Sequence, residues 1–242
     1  MVTTHTPFHG FWDTSDGRMV DTIQYTQLRL WARALRFFHP DARITIYTRR
    51  QVLPPDTLQV TGVDVVYFDN VRELFRHTPL YTISHDLERL PKPELSDLVR
   101  LALLYRFGGT WLDTDDLAVR AVTTTSRNVL GTFLWPSRPS TATYWGSTFT
   151  LVDGTHIGEA YADYSFHVQN DPMVNWDAGH PFLCRWMLAV SNASPCDWGQ
   201  KLPTDLLRTR CESDVVLTPQ HHLLLHPAFG QDAQFGYPDR KG

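Results

Sequence analysis

The sequence predicts an α/β fold with a mostly parallel central sheet flanked by helices, on three observations. Short apolar runs alternate with helix-period segments over roughly the first half of the chain, the order that builds a parallel sheet with helices packed on it. Asp13, Asp69 and Asp113 each follow one of those apolar runs, and ligands of open sheets bind beyond the carboxyl ends of the strands. The 242 residues, 42% hydrophobic and 20% charged, suffice to bury a sizeable core in a single domain.

Taken in order, Phe8 to Trp12 is an aromatic run followed by Asp-Thr-Ser-Asp-Gly, and reads as a strand ending in a loop. From Asp21 to Phe38 the residues Leu28, Trp31, Ala32, Leu35 and Phe38 recur at helical spacing. That helix stops before His39-Pro40, because a residue preceding proline resists the helical backbone. Arg43 to Thr48 reads as an alternating strand, with Ile44 and Ile46 on one side and Thr45 and Tyr47 on the other. Val63 to Phe68 is a more continuous apolar run that fits a strand buried on both faces. Val71 to His77 fits a short helix. Residues 123–177 mix Thr, Ser, Pro, Gly and aromatics with no clear period, apart from strand-like residues near Phe149–Val152. Pro181 to Val190 and Leu202 to Arg208 read as helices, and the tail from Gly230 is polar.

Composition narrows the function classes. A formal charge of -4 with no dense Lys/Arg cluster disfavours nucleic acid. Three cysteines, Cys184, Cys196 and Cys211, are odd in number and lack C-x-x-C spacing, so a reducing compartment is expected. The first residues lack the pattern of a signal peptide, and no run approaches eighteen apolar residues. The expectation is a cytoplasmic protein without a transmembrane segment, with peripheral membrane contact left open.

The stretch Glu94 to Val119, ELSDLVRLALLYRFGGTWLDTDDLAV, carries the chemistry. Leu95, Leu98, Val99, Ala102 and Tyr105 form an apolar helical stripe, widened by Leu101 and Leu104 and interrupted on one turn by Ser96, Asp97 and Arg100. Asp97 and Arg100 are three apart and so neighbours on the helix; on spacing alone, a surface ion pair of little worth accounts for them. Gly108-Gly109 stops the helix. Thr110 to Asp115 then reads as a strand, which would project Trp111, Asp113 and Asp115 to one side. Like charges on one face repel unless a cation sits between them. Hard divalent cations such as Mn²⁺ or Mg²⁺ take such oxygen ligands.

The pattern S-D-x-x-R followed by G-G-x-aromatic-x-D-x-D resembles the DXD-type sugar transferases, the superfamily of α-1,4-galactosyl- and initiating mannosyltransferases, capsular polysaccharide transferases and large glucosylating toxins. Ser96, Asp97, Arg100, Gly108, Gly109, Trp111, Asp113 and Asp115 fall in register, with Trp111 where Tyr is more usual. PFHGFW is similar to the family's opening strand, and Gly179-His180-Pro181-Phe182 to an element that begins a later helix. The resemblance implies a GT-A fold in one transferase domain, residues 1–122 binding the nucleotide sugar and residues 123–242 forming the acceptor side. It implies a nucleoside diphosphate sugar as donor, UDP ahead of GDP, a hexose or deoxyhexose passed to a glycan or other hydroxyl acceptor, and retention of configuration. Mn²⁺ or Mg²⁺ would be held by Asp115 and Asp113, and Asp97 and Arg100 would meet the sugar hydroxyls. Trp12 is the candidate for the base, Asp69 for base or ribose, and Asn170 for sugar or acceptor. A further metal ligand is expected among His221, His222 and His226, with His222 chosen.

Two other readings compete. A non-catalytic nucleotide- or carbohydrate-binding module would keep the same residues. A haloacid-dehalogenase-type phosphatase would need Thr or Ser where Leu117 stands.

Overall fold

The computed structural model describes residues 7–14, 19, 21–53, 62–83, 87–122, 127–136, 149–150, 156–157, 164–195, 198–199, 201–209, 214–219 and 224–225. The first half of the chain contributes β1 (Phe8–Trp12), β2 (Ile44–Thr48), β3 (Asp64–Tyr67), β4 (Gly109–Trp111) and β5 (Leu117–Ala118). The second contributes β6 (Val129–Pro136), β7 (Phe149–Thr150), β8 (His156–Ile157), β9 (Tyr164–Trp176), β10 (Val216–Pro219) and β11 (Leu224–Leu225). Seven of these form one sheet in the order β10-β6-β9-β4-β1-β2-β3. All neighbours are parallel except β9, which runs antiparallel to both β4 and β6. The predicted α/β architecture with a mostly parallel sheet stands.

α1 (Thr22–Phe38) opens on a reciprocal cap, the Asp21 carboxylate accepting the Gln24 N–H and the Gln24 side chain accepting the Asp21 N–H. Its inner face of Leu28, Trp31, Ala32 and Leu35 packs with Phe8, Ile44, Ile46 and Leu112 on one side of the sheet. Gly10 makes room for this: a Cβ there would stand 3.0 Å from the Trp31 ring. On the other side lie α2 (Arg72–Phe75), α3 (Lys92–Phe107) and α4 (Pro181–Ala189), packed against Phe11, Tyr47, Trp111 and Met173. α5 (Lys201–Thr209) follows, its Thr204 hydroxyl accepting the Val168 N–H.

Two expectations reverse. β2 is buried along its whole length, and β3 alternates between exposed and half-buried residues. The apolar Val63–Phe68 run therefore does not mark an interior strand; β3 is the edge of the sheet. α3 also differs from a one-sided stripe. Leu95, Leu98, Val99, Arg100, Leu101, Ala102, Leu103 and Leu104 are all buried, so the helix is enclosed on almost every side. Each fully buried leucine contributes about 2 kcal/mol relative to an exposed one.

The glycine pair after α3 is demanded by geometry. Gly108 has φ +64 and Gly109 φ +102. A Cβ on Gly108 would lie 2.7 Å from the Trp176 carbonyl oxygen, and one on Gly109 2.5 Å from that of Pro7. Both neighbours are backbone, so nothing can yield. Close by, His180 caps α4, its Nδ1 accepting the Phe182 N–H while Nε2 meets Asp214 Oδ2 at 2.9 Å.

Candidate functional site: the turn after β4

β4 is three residues long, and the chain then turns instead of extending as a strand to Asp115 as the sequence predicted. The Asp116 N–H donates to the Asp113 carbonyl at 3.0 Å, closing a turn that leaves Asp115 exposed and Asp116 buried. Asp113 does not point into open solvent. Its Oδ1 accepts the Trp111 Nε1–H at 2.8 Å, and both its oxygens lie 3.0 Å from Arg100 Nη2. Trp111 is fully buried, and its ring lies 5.3 Å beneath the Arg100 guanidinium.

Arg100 is the hub of this arrangement. The same Nη2 is 3.3 Å from Asp97 Oδ1, one turn earlier on α3. Its side chain is 4% exposed, so a weak surface pair does not describe it. Burial would lower its pKa, but Asp113, Asp97 and Asp171 outweigh burial and hold it above the usual value. Asp171, on β9, accepts the Asp113 backbone N–H on Oδ1 at 3.0 Å. It lies against Asp116, and both are buried. Burial, with the neighbouring charges of Asp113 and Asp115, pushes the Asp116 carboxyl up to about 7, although the Asp171 contact acts the other way. Burial first, then the charges of Asp116 and Asp113, raises Asp171 well above the carboxylate range.

Residues 28–132 match the family described as "Glycosyltransferase sugar-binding region containing DXD motif". That stretch is similar to a DXD-type glycosyltransferase region. The chain is 45% identical over 67 residues to the lactosylceramide 4-alpha-galactosyltransferase of Pongo pygmaeus, covering 26% of this chain and 30% of that one. It is 32% identical over 125 residues to the enzyme of the same name from Mus musculus, covering 46% of this chain and 33% of the relative. The match thus spans about a third of the length of these curated relatives. Among solved structures, the "PaToxG Glycosyltransferase" superposes with a TM-score of 0.55 at 15% identity, over 85% of this chain and 69% of that one. That likeness concerns the fold, which is GT-A. The family and the relatives are glycosyltransferases.

Of the other residues singled out from the sequence, Ser96 is half-buried one turn before Arg100. Trp12 ends β1 with its ring N–H buried and without a hydrogen-bond partner. Asp69 is exposed after the edge strand β3, three strands from β4, or about 14 Å at ordinary strand spacing. The turn and Asp69 are therefore not brought together. Asn170 lies on β9 beside Asp171, and its side chain is outside the described residues. His221, His222 and His226 also lie outside them; β11 between them pairs with β5, Leu225 opposite Leu117, one residue past Asp116. Asp13 does not face a ligand. Its side chain is fully buried, with Lys92 Nζ at 2.6 Å and Arg49 Nη2 at 3.3 Å.

The residue that sequence reasoning missed is Asp171. The signal was the proline at Pro172, since proline inside a strand marks an edge or a bulge, and a bulge is what β9 has. Gln169 pairs with Gly131 and Met173 with Leu130, so three residues of β9 have no counterpart on β6.

The donor chemistry of the DXD turn suits a hard divalent cation. Asp97, Asp113, Asp116 and Asp171 surround a single guanidinium, and Asp115 is exposed on the same turn. Among the described residues no group of three or more His, Cys, Asp or Glu side chains is arranged to hold a metal, so the donor set there is partial. Among the same residues no helix is long and apolar enough to cross a membrane.

Proposed function

We propose that the chain moves a hexose or deoxyhexose from a UDP-sugar to a hydroxyl of a glycan or other acceptor, with retention at the anomeric carbon. The observation that carries this reading is the Asp113 carboxylate, anchored by Arg100 and Trp111 beside the exposed Asp115 within the DXD region. Asp115 and Asp113 would hold Mn²⁺, or Mg²⁺ in its place, with His222 as the further ligand. A bound cation neutralises the charge that develops on the departing diphosphate.

The chain's own residues supply orientation. Arg100 fixes Asp113 against α3, so the edge of the carboxylate left open keeps one direction as the sugar arrives. Asp97 and Arg100, one helical turn of mixed charge at the end of β4, offer acceptor and donor groups to sugar hydroxyls. Trp12, at the carboxyl end of β1, is the candidate for the base. The relatives' names make galactose the first sugar to test.

The same reading treats residues 1–242 as one transferase domain, residues 123–242 forming the acceptor side. The continuity of the sheet through β9, β6 and β10 supports it. A cytoplasmic setting is proposed from the cysteine content.

The experiment is incubation of the purified protein with Mn²⁺ and a panel of UDP- and GDP-sugars, measuring released nucleotide with and without chelator. Cation-dependent release from a UDP-sugar is expected. No release from any donor, with nucleotide still bound, would turn the reading into that of a binding module.

A further inference from the structure

Two register shifts meet at one place in the sheet. On β6, Leu130 pairs with Met173 and Gly131 with Gln169; on β4, Trp111 pairs with the same Met173 although Gly109 pairs with Trp176. The residues between Gln169 and Met173 are thereby lifted out of the ladder, and bulges of this kind re-aim a side chain. Asp171 is the re-aimed one. It is buried, it takes the Asp113 N–H at 3.0 Å, and it lies against Asp116 at the other end of the same turn.

We propose that Asp171 is a positioning residue, a staple from strand β9 that holds the Asp113 end of the turn and so fixes the carboxylate that would handle the donor. The catalytic consequence rests on the transferase reading above; the staple itself does not. The accepting oxygen comes from 58 residues further along the chain, so this bond ties the turn to β9 as Arg100 ties it to α3. Holding the turn matters because a misplacement of about 1 Å at a reacting centre costs on the order of 100-fold in rate.

The test compares wild type with Asp171→Ala and Asp171→Asn. Asparagine keeps an acceptor for the Asp113 N–H; alanine does not. Hydrogen exchange of the segment carrying the Asp113 and Asp116 amides is followed by mass spectrometry in metal-free protein, and nucleotide release is separated into kcat and KM. In Asp171→Ala, exchange of that segment is expected to rise about tenfold or more and kcat to fall by about 10- to 100-fold, with the donor KM within roughly threefold. Asp171→Asn is expected to restore both. Wild-type exchange and kcat in Asp171→Ala would overturn the staple. So would an Asp171→Asn protein as impaired as Asp171→Ala, since the role would then belong to a charged carboxylate. Should Asp171→Ala fail to fold, Asp171→Asn is compared with wild type alone: exchange and kcat near wild type uphold the staple, and raised exchange with lowered kcat overturns it. If wild type releases no nucleotide from any donor, the transferase reading fails while the exchange measurements still decide the staple.

Discussion

At the carboxyl ends of β1 and β4 the protein carries two buried ion clusters with opposite charge ratios. After β1, the fully buried Asp13 sits between Lys92 and Arg49, one carboxylate to two cations. After β4, the single Arg100 guanidinium serves Asp97 and Asp113, with Asp171 and Asp116 close by. α3 supplies a cation to each, Lys92 from its first residue and Arg100 from two turns further on, about 12 Å apart along the axis. The cluster after β1 holds more positive than negative charge and ties α3 to the ends of β1 and β2. The cluster after β4 keeps an excess of negative charge that an arriving cation would relieve. Both clusters are buried, so burial does not distinguish them; the ratio of charges does.

The contrast is most sharply tested at Arg100. Arg100→Ala leaves Asp97 and Asp113 without their cation, and should cost about 3 kcal/mol or more by urea unfolding, with nucleotide release lost as well. Preserved stability would mean that the carboxylates do not depend on Arg100. Next comes His9, which stands on β1 opposite Trp111, its Nε2 donating to the Gly108 carbonyl at 3.0 Å. Burial above all holds its pKa down, from 6.5 to about 4. The unfolded chain thus binds the proton more readily, and stability is full above pH 6.5 and falls as the pH drops toward 4, by about 3 kcal/mol in total. Unfolding curves of wild type and His9→Gln, subtracted across that window, isolate this contribution; a flat difference would remove His9 from the account.

Asp13→Asn should weaken the β1 cluster by roughly 1–2 kcal/mol, less than the loss of Arg100, because Lys92 and Arg49 are 17% and 21% exposed and can turn to water. The smallest effect on stability belongs to Asp115→Ala. The side chain is exposed, so the change should stay within about 0.5 kcal/mol, while cation-dependent nucleotide release disappears. Undiminished release from that variant would put the metal elsewhere.

Much of the fold could be read in advance where one physical rule dominated. The Leu28–Trp31–Leu35 spacing gave α1, and Asp21 had the Gln24 partner that a capping box needs. The Gly108-Gly109 stop was legible because few other residues end a helix so abruptly. β9 was not, since a strand containing Gln169, Asn170, Asp171 and Pro172 shows neither alternation nor an apolar run; its partners in the sheet, not its composition, make it a strand. β2 and β3 exchanged roles for a similar reason, because position in the sheet decides burial and is not written in either segment. In the site, Asp97, Arg100, Trp111 and Asp113 were found from their pattern. Their mutual engagement was not foreseen, because it depends on how closely α3 lies over β4. Asp171 escaped because only a register shift aims it at Asp113.

β4 holds three residues, and its two partners in the sheet are remote in the chain. Phe8 opposes Thr110 about a hundred residues earlier, and Trp176 opposes Gly109 nearly seventy residues later. No local hairpin or helix can form this strand first, and contacts of such long sequence separation are slow to close. During synthesis the edge of β4 that β9 later covers stays unpaired until residues 164–176 have emerged, so the strand that leads into Asp113 and Asp115 gains its second partner only about sixty residues after it has been made.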